Sequence, residues 1–69
     1  MTIDILWNSG THQILNDIEK IVEYGFDETN NRLMFVPYNE NIRWCSCAKA
    51  DIQSVTIKGE NNEDRLFDR

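Results

Sequence analysis

The sequence predicts an all-β fold, a small antiparallel meander or open barrel of five to six strands. Three observations favour this class: short runs in which apolar and polar residues alternate, turn residues between those runs, and an Asp-Ile motif that occurs twice. The chain has 69 residues, of which 41% are hydrophobic, so it can build one small core. We predict a single β domain over residues 1–58, followed by a polar C-terminal tail over residues 59–69.

The first strand is predicted over residues 2–7, with the sequence TIDILW. Ile3, Ile5 and Trp7 alternate with the other three side chains, as expected for a strand with one buried face. The residues that follow, Asn-Ser-Gly at 8–10, are typical of a tight turn.

Residues 12–24 allow two interpretations. Their apolar side chains recur at helical spacing, and Gly25 could end a helix, so the alternative fold is α+β, with one helix over 12–24 on a four-stranded antiparallel sheet. The repeat favours strands instead. The sequence DIEKIV at 17–22 recurs as DIQSVT at 51–56, and the continuation of the second copy, SVTIK, has the β-branched composition of a strand. Each copy is therefore predicted to be a short turn that leads into a strand.

The first copy then leads into a strand over 20–27, and the segment RLMFV at 32–36 follows after a turn. This second segment is apolar on both faces, which predicts a central strand that ends at Pro37. A further strand is expected over 41–48. Each half of the chain thus reads as strand, turn, strand, Asp-Ile turn, strand.

The tail GENNEDRLFDR is polar, and we expect it to be disordered or loosely docked. Its apolar pair, Leu66 and Phe67, predicts either a clasp over the core or a contact with another chain. We also expect a homodimer formed through open strand edges, because TIDILW and SVTIK contain few charges that would protect an edge from pairing.

The chain has two cysteines, Cys45 and Cys47, too close in sequence for a useful disulfide. On a strand they share one face, and we interpret both as small, half-buried side chains in a reducing compartment. His12 is the sole histidine, and the motifs of common enzyme and metal sites are absent from the sequence. We therefore expect no enzymatic activity, no metal site and no cofactor.

The net charge of −5 has the wrong sign for a protein that binds nucleic acid phosphates. No apolar run reaches the roughly 18 to 20 residues of a membrane span. We expect a complete, soluble, cytoplasmic chain that binds neither nucleic acid nor membrane.

Acidic side chains with nearby aromatic residues suggest a surface for a basic partner protein, in which carboxylates take the place of phosphates. The aromatic residues would be the anchors of that contact. The candidate partner-binding residues are Asp17, Glu19, Glu23, Asp27, Glu28, Tyr38, Glu40 and Trp44. Two alternatives are a protein that sequesters a nucleotide-like ligand at an oligomer interface and a small-barrel nucleic-acid-binding module.

The segments NDIEKIVEYGFDETNNRLMFVP and ADIQSVTI resemble those of small accessory proteins encoded by bacteriophages and other mobile elements. Many such proteins inhibit host enzymes or host defence systems. The resemblance implies an inhibitor that acts in the host cytoplasm by blocking a defence or nucleic-acid-handling protein. It covers residues 2–58 in general style and assigns no role to an individual residue.

Overall fold

A computed structural model describes residues 1–25, 27, 30–39, 45–59 and 63–68 of the chain. Two antiparallel sheets form, one of four strands in the order β2-β1-β6-β7 and one of three strands in the order β3-β4-β5. The strands are β1 (Thr2–Trp7), β2 (His12–Leu15), β3 (Ile18–Tyr24), β4 (Arg32–Pro37), β5 (Cys45–Ala48), β6 (Ile52–Lys58) and β7 (Glu63–Asp68), with a 3₁₀ turn at Lys49–Asp51.

The all-β prediction is confirmed, and the α+β alternative is wrong, because residues 12–24 contain strands β2 and β3. The described residues hold seven strands instead of five or six, in two sheets that do not close into a barrel. The predicted central strand is confirmed, since β4 lies between β3 and β5. Of the predicted strand over 41–48, β5 covers Cys45–Ala48, and residues 41–44 lie outside the described part.

The two halves of the chain have the same order of elements, as the Asp-Ile repeat predicted. The strands β1 and β2 form one hairpin, and β4 and β5 form another. After the first hairpin, β3 crosses to the other sheet and pairs with β4, whereas β6 crosses back and pairs with β1. Each half therefore gives its third strand to the sheet of the other half. The sequence repeat thus corresponds to a repeat of strand order and strand pairing, which we call the pseudo-two-fold relation.

The register of the two crossing strands is the same in both sheets. Each begins at the isoleucine of its Asp-Ile motif, and the next residue, Glu19 or Gln53, is a β-bulge without a partner. The corresponding pairs are Ile52 with Trp7 and Ser54 with Leu6 in one sheet, and Ile18 with Pro37 and Lys20 with Val36 in the other.

The core lies between the inner faces of the two sheets. On β1 and β4 it draws on alternate positions, as expected for strands with one face on a core. On β6 the bulge shifts the alternation, and the edge strands β3 and β5 add one residue each. Burial of a full-sized apolar side chain is worth about 1.5–3 kcal/mol, so this cluster stabilises the packing of the two sheets. The buried apolar residues are Ile3, Ile5, Ile18, Leu33, Phe35, Cys47, Ile52 and Val55.

The tail differs from the expectation of a disordered or loosely docked segment. Its residues Glu63–Asp68 form β7, which pairs with β6 along most of its length. Phe67 packs against the core, while Leu66 is exposed. The sequence predicted that Leu66 and Phe67 either cover the core or contact another chain, and Phe67 covers the core.

The prediction of open edges at TIDILW and SVTIK is wrong. These segments form β1 and β6, and each is paired on both sides. The strands at the edges of the two sheets, as far as the structure describes them, are β2, β7, β3 and β5. Within the described ranges, no helix has the length and apolarity needed to cross a membrane.

Candidate functional site

Five of the eight candidate residues lie in the described part of the chain, and three of them come together. Glu28, Glu40 and Trp44 lie outside the described residues. Asp17 and Glu19 stand at the beginning of β3, and Tyr38 follows the end of β4. Because Ile18 pairs with Pro37, these three residues share one end of the three-stranded sheet. We call Asp17, Glu19 and Tyr38 the acidic-tyrosine site.

The backbone holds this site in a defined geometry. Asp17 has a φ of 58°, a left-handed conformation that aspartate tolerates better than most residues. Its carbonyl oxygen accepts a hydrogen bond of 3.0 Å from the N–H of Tyr38. The same contact occurs at the second copy of the motif, where the N–H of Asn8 donates to the carbonyl oxygen of Asp51 at 3.0 Å. The two copies therefore share this hydrogen bond, whereas the left-handed aspartate and the tyrosine belong to the first copy; Asp51 ends the 3₁₀ turn at Lys49–Asp51.

The side chains of the acidic-tyrosine site are accessible. Tyr38 is 67% exposed, the highest exposure among the large hydrophobic side chains of the described residues. The carboxylates of Asp17 and Glu19 form no hydrogen bond or ion pair with the part of the chain that the structure describes. Two carboxylates without a partner among the described residues thus share one sheet end with an exposed aromatic side chain. Lys and Arg side chains bind carboxylates and pack on aromatic faces, so this end of the sheet suits them.

An open cleft adjoins Asp17. It has a volume of about 480 Å³ and is lined by Met1, Thr2, Asp17, Lys58 and Gly59. Met1, one of its lining residues, accepts a hydrogen bond of 3.0 Å at its carbonyl oxygen from the N–H of Ile18, which connects the beginnings of β1 and β3. The cleft therefore lies at the junction of the two sheets, beside the acidic-tyrosine site.

Glu23 and Asp27 lie at the other end of β3 and make contacts within the fold. Lys49 Nζ lies 2.7 Å from the Glu23 carboxylate, and Asn31 donates to it at 3.2 Å. The hydrogen bond from Lys49, followed by the one from Asn31, lowers the pKa of Glu23. Asp27 accepts hydrogen bonds from the main chain and the side chain of Asn30. The contacts of these two acids are thus made within the fold, Glu23 with the partly exposed Lys49 and Asp27 with Asn30.

A second polar cluster, missed by the sequence analysis, lies on the outer face of the four-stranded sheet. His12 Nδ1 lies 2.9 Å and Lys58 Nζ 3.5 Å from the carboxylate of Asp4. The hydrogen bond with His12 is the main cause of the lowered pKa of Asp4. Asp4 alternates with Ile3 and Ile5, and this pattern was sufficient to place Asp4 outside the core. No sequence signal identified its partners, which come from β2 and β6.

The two cysteines have the environment of structural residues. Both are free thiols, with Cys47 buried and Cys45 partly exposed. Burial, with a smaller effect of the neighbouring Cys45, raises the pKa of Cys47 to about 11, and burial also raises the pKa of Cys45. A thiol with a raised pKa is a poor nucleophile and a poor metal ligand at neutral pH. In the described ranges, no three His, Cys, Asp or Glu side chains are grouped so that they could hold a metal ion.

Comparisons with protein-family models, with curated proteins and with solved structures find no match to this chain.

Proposed function

We propose that this protein is a non-enzymatic interaction module that binds and blocks a partner protein with a basic surface. The observation that carries the proposal is the acidic-tyrosine site. There Asp17 and Glu19, whose carboxylates have no partner among the described residues, lie at the same sheet end as the exposed Tyr38. Tyrosine is enriched among residues that dominate binding energy, and complementary charge accelerates association with a basic partner.

The chemistry of the site favours a partner that normally handles phosphates. Proteins that bind nucleic acid have grooves lined with Lys and Arg, and carboxylates at suitable positions compete for the same groups. We therefore propose a host nucleic-acid-handling or defence protein as the partner, bound in the host cytoplasm by a phage-type inhibitor. The net charge of −5 extends the attraction beyond the contact itself.

The experiment compares two double variants in affinity capture from a bacterial lysate, with quantification by mass spectrometry. Asp17→Asn/Glu19→Gln removes the two charges of the site, and Asn tolerates the left-handed backbone at position 17. The matched control, Asp51→Asn/Asp64→Asn, also removes two charges from exposed residues, but at other places in the fold. We expect the control to retain the partner captured by the wild-type protein and the site variant to bind it at least about 10-fold more weakly, a loss of about 1.4 kcal/mol.

Tyr38→Ala tests the aromatic contribution, with Leu66→Ala as the control at another exposed apolar residue. Loss of a central aromatic contact costs about 2 kcal/mol or more, so we expect at least about 30-fold weaker binding for Tyr38→Ala alone. If both double variants bind the partner equally, or if Tyr38→Ala has no effect, the acidic-tyrosine site is not the binding surface and the proposal fails.

A further inference from the structure

The strand β3 has one open edge within the described structure, and the pseudo-two-fold relation indicates what this edge fits. In the four-stranded sheet, β6 pairs with β1 on one side and with β7 on the other. In the three-stranded sheet, β3 corresponds to β6 and pairs with β4, but no described strand takes the position of β7. The fold thus contains a strand position that is filled in one half and open in the other.

The correspondence extends through five consecutive residues. Residues 20–24 of β3 pair with β4 in the register that residues 54–58 of β6 adopt against β1. All five residues of β6 also pair with β7 on their opposite side. The equivalent stretch of β3, Lys20 to Tyr24, therefore has main-chain N–H and C=O groups directed to the open side, where they can bind a further antiparallel strand.

Ile21 is less buried than its equivalent on β6, which has a neighbouring strand on both sides. Its equivalent on β6, Val55, pairs with Phe67 of β7 and is fully buried. Ile21 packs against the same core but is only partly buried. An incoming strand with an apolar side chain opposite Ile21 would complete this side of the core, as Phe67 does beside Val55.

The charges along β3 indicate the chemistry of that strand. Asp17, Glu19, Glu23 and Asp27 lie on β3 or on the turns that flank it, against the single base Lys20. Glu23 is already neutralised by Lys49, whereas Asp17 and Glu19 have no partner within the described residues. Basic side chains on an incoming strand would compensate these charges.

From these observations, we propose that the open edge of β3 binds an extended, basic segment of the partner protein as an additional antiparallel strand. The segment places an apolar residue opposite Ile21 and Lys or Arg residues on either side of it, along the acidic residues of β3 and its flanking turns. This mode of binding is β-augmentation, in which main-chain hydrogen bonds provide affinity and alternate side chains provide specificity. The inference rests on the proposed function and adds to it the conformation and the chemistry of the partner segment.

The test uses the full chain, labelled for NMR, and a peptide probe derived from β7. The probe has the sequence of residues 63–68 with Glu63→Lys, Asp64→Lys and Asp68→Lys (KKRLFK), and the control probe has in addition Phe67→Ser. We expect KKRLFK to slow exchange of the edge-facing amides within residues 20–24. Since protection scales with 1 + [L]/Kd, exchange slows about five-fold at a peptide concentration four times Kd. The control probe and the unmodified acidic sequence EDRLFD are expected to give at least about 10-fold weaker binding.

Two protein variants locate the binding site. Ile21→Lys places a charge at the proposed apolar contact and should abolish protection, whereas Ile14→Lys, at a 50% exposed residue on the edge strand β2, should not. Hydrogen exchange without peptide reports whether each variant is folded. If a variant does not fold, the protection of the wild-type protein by KKRLFK still tests the inference. If KKRLFK gives no protection of residues 20–24, or protects β6 by displacing β7, the inference is wrong.

The same measurement with a captured partner separates the two proposals. If the partner depends on Asp17 and Glu19 but residues 20–24 still exchange rapidly in the complex, the acidic-tyrosine site is correct and β-augmentation is wrong. If KKRLFK protects β3 but no partner depends on Asp17 and Glu19, the strand site exists and the proposed function fails.

Discussion

Cys47 illustrates how the fold determines the chemistry of a single side chain. It lies on β5, pairs with Leu33 of β4 and faces the core, where it is 2% exposed. Water is excluded from its thiol, so the charged thiolate is disfavoured and the pKa rises to about 11. The residue therefore acts as a small apolar side chain.

This environment predicts slow alkylation. At about pH 8, a thiol with a pKa near 11 contains about 100-fold less thiolate than one with the ordinary value of 9.0. We expect iodoacetamide to modify Cys47 at least about 100-fold more slowly in the native protein than in concentrated urea. The partly exposed Cys45 is the internal control, and peptide mass spectrometry distinguishes the two. Equal native rates for both thiols would contradict the buried position of Cys47.

The acidic-tyrosine site shows which part of a binding surface a sequence can predict. Asp17, Glu19 and Tyr38 were all candidate residues because acids and aromatic residues suit a basic partner. Their common position depends on the pairing of β3 with β4, a contact between the two halves of the chain. Glu23 was a candidate partner-binding residue for the same reason, but in the fold Lys49 compensates its charge. Residue type alone does not distinguish the two cases.

The strand β7 shows the corresponding limit for a whole element. Its side chains are mostly polar and exposed, so its composition indicated a loose tail. A strand at a sheet edge is held by main-chain hydrogen bonds, which composition does not reveal, together with the packing of Phe67 against the core. Lys49 adds a contact, because its Nζ lies 4.9 Å from the centre of the Phe67 ring. By contrast, β1 was predictable from its alternating pattern and β4 from its continuous apolar run.

Phe67→Ala is therefore expected to weaken the attachment of β7. A partly buried aromatic side chain contributes less than the 3–5 kcal/mol of a fully buried one, and we expect a loss of about 1–2 kcal/mol in the free energy of unfolding. Urea denaturation measures this loss, and hydrogen exchange locates it at residues 63–68. Leu66→Ala, at the exposed neighbouring residue, should change stability by less than about 0.5 kcal/mol. If the two variants are equally stable, Phe67 does not anchor the strand.

The whole molecule combines two similar halves that exchange their third strands. The Asp-Ile repeat predicted two similar sets of strands, and this is what the structure contains. It did not predict the exchange, because the apolar faces of β3 and β6 are equally compatible with pairing inside their own half. For the same reason β1 and β6 were mistaken for edges. The exchange also creates the features on which the proposed function and the proposed strand site depend: the junction beside Asp17 and the edge of β3 that is open within the described structure.

The central claim is that the acidic-tyrosine site binds a basic partner through charge and an aromatic anchor. The most direct test is the dissociation constant of the captured partner, measured by titration calorimetry at roughly 50 and 400 mM salt. Because salt screens exposed charges, we expect the wild-type protein to bind at least about 10-fold more weakly at the higher concentration. Asp17→Asn/Glu19→Gln should bind more weakly and with a smaller salt dependence, while Asp51→Asn/Asp64→Asn, with the same change in net charge, should retain most of the wild-type affinity and salt dependence. Identical affinity and salt dependence for the wild-type protein and the site variant would contradict the claim.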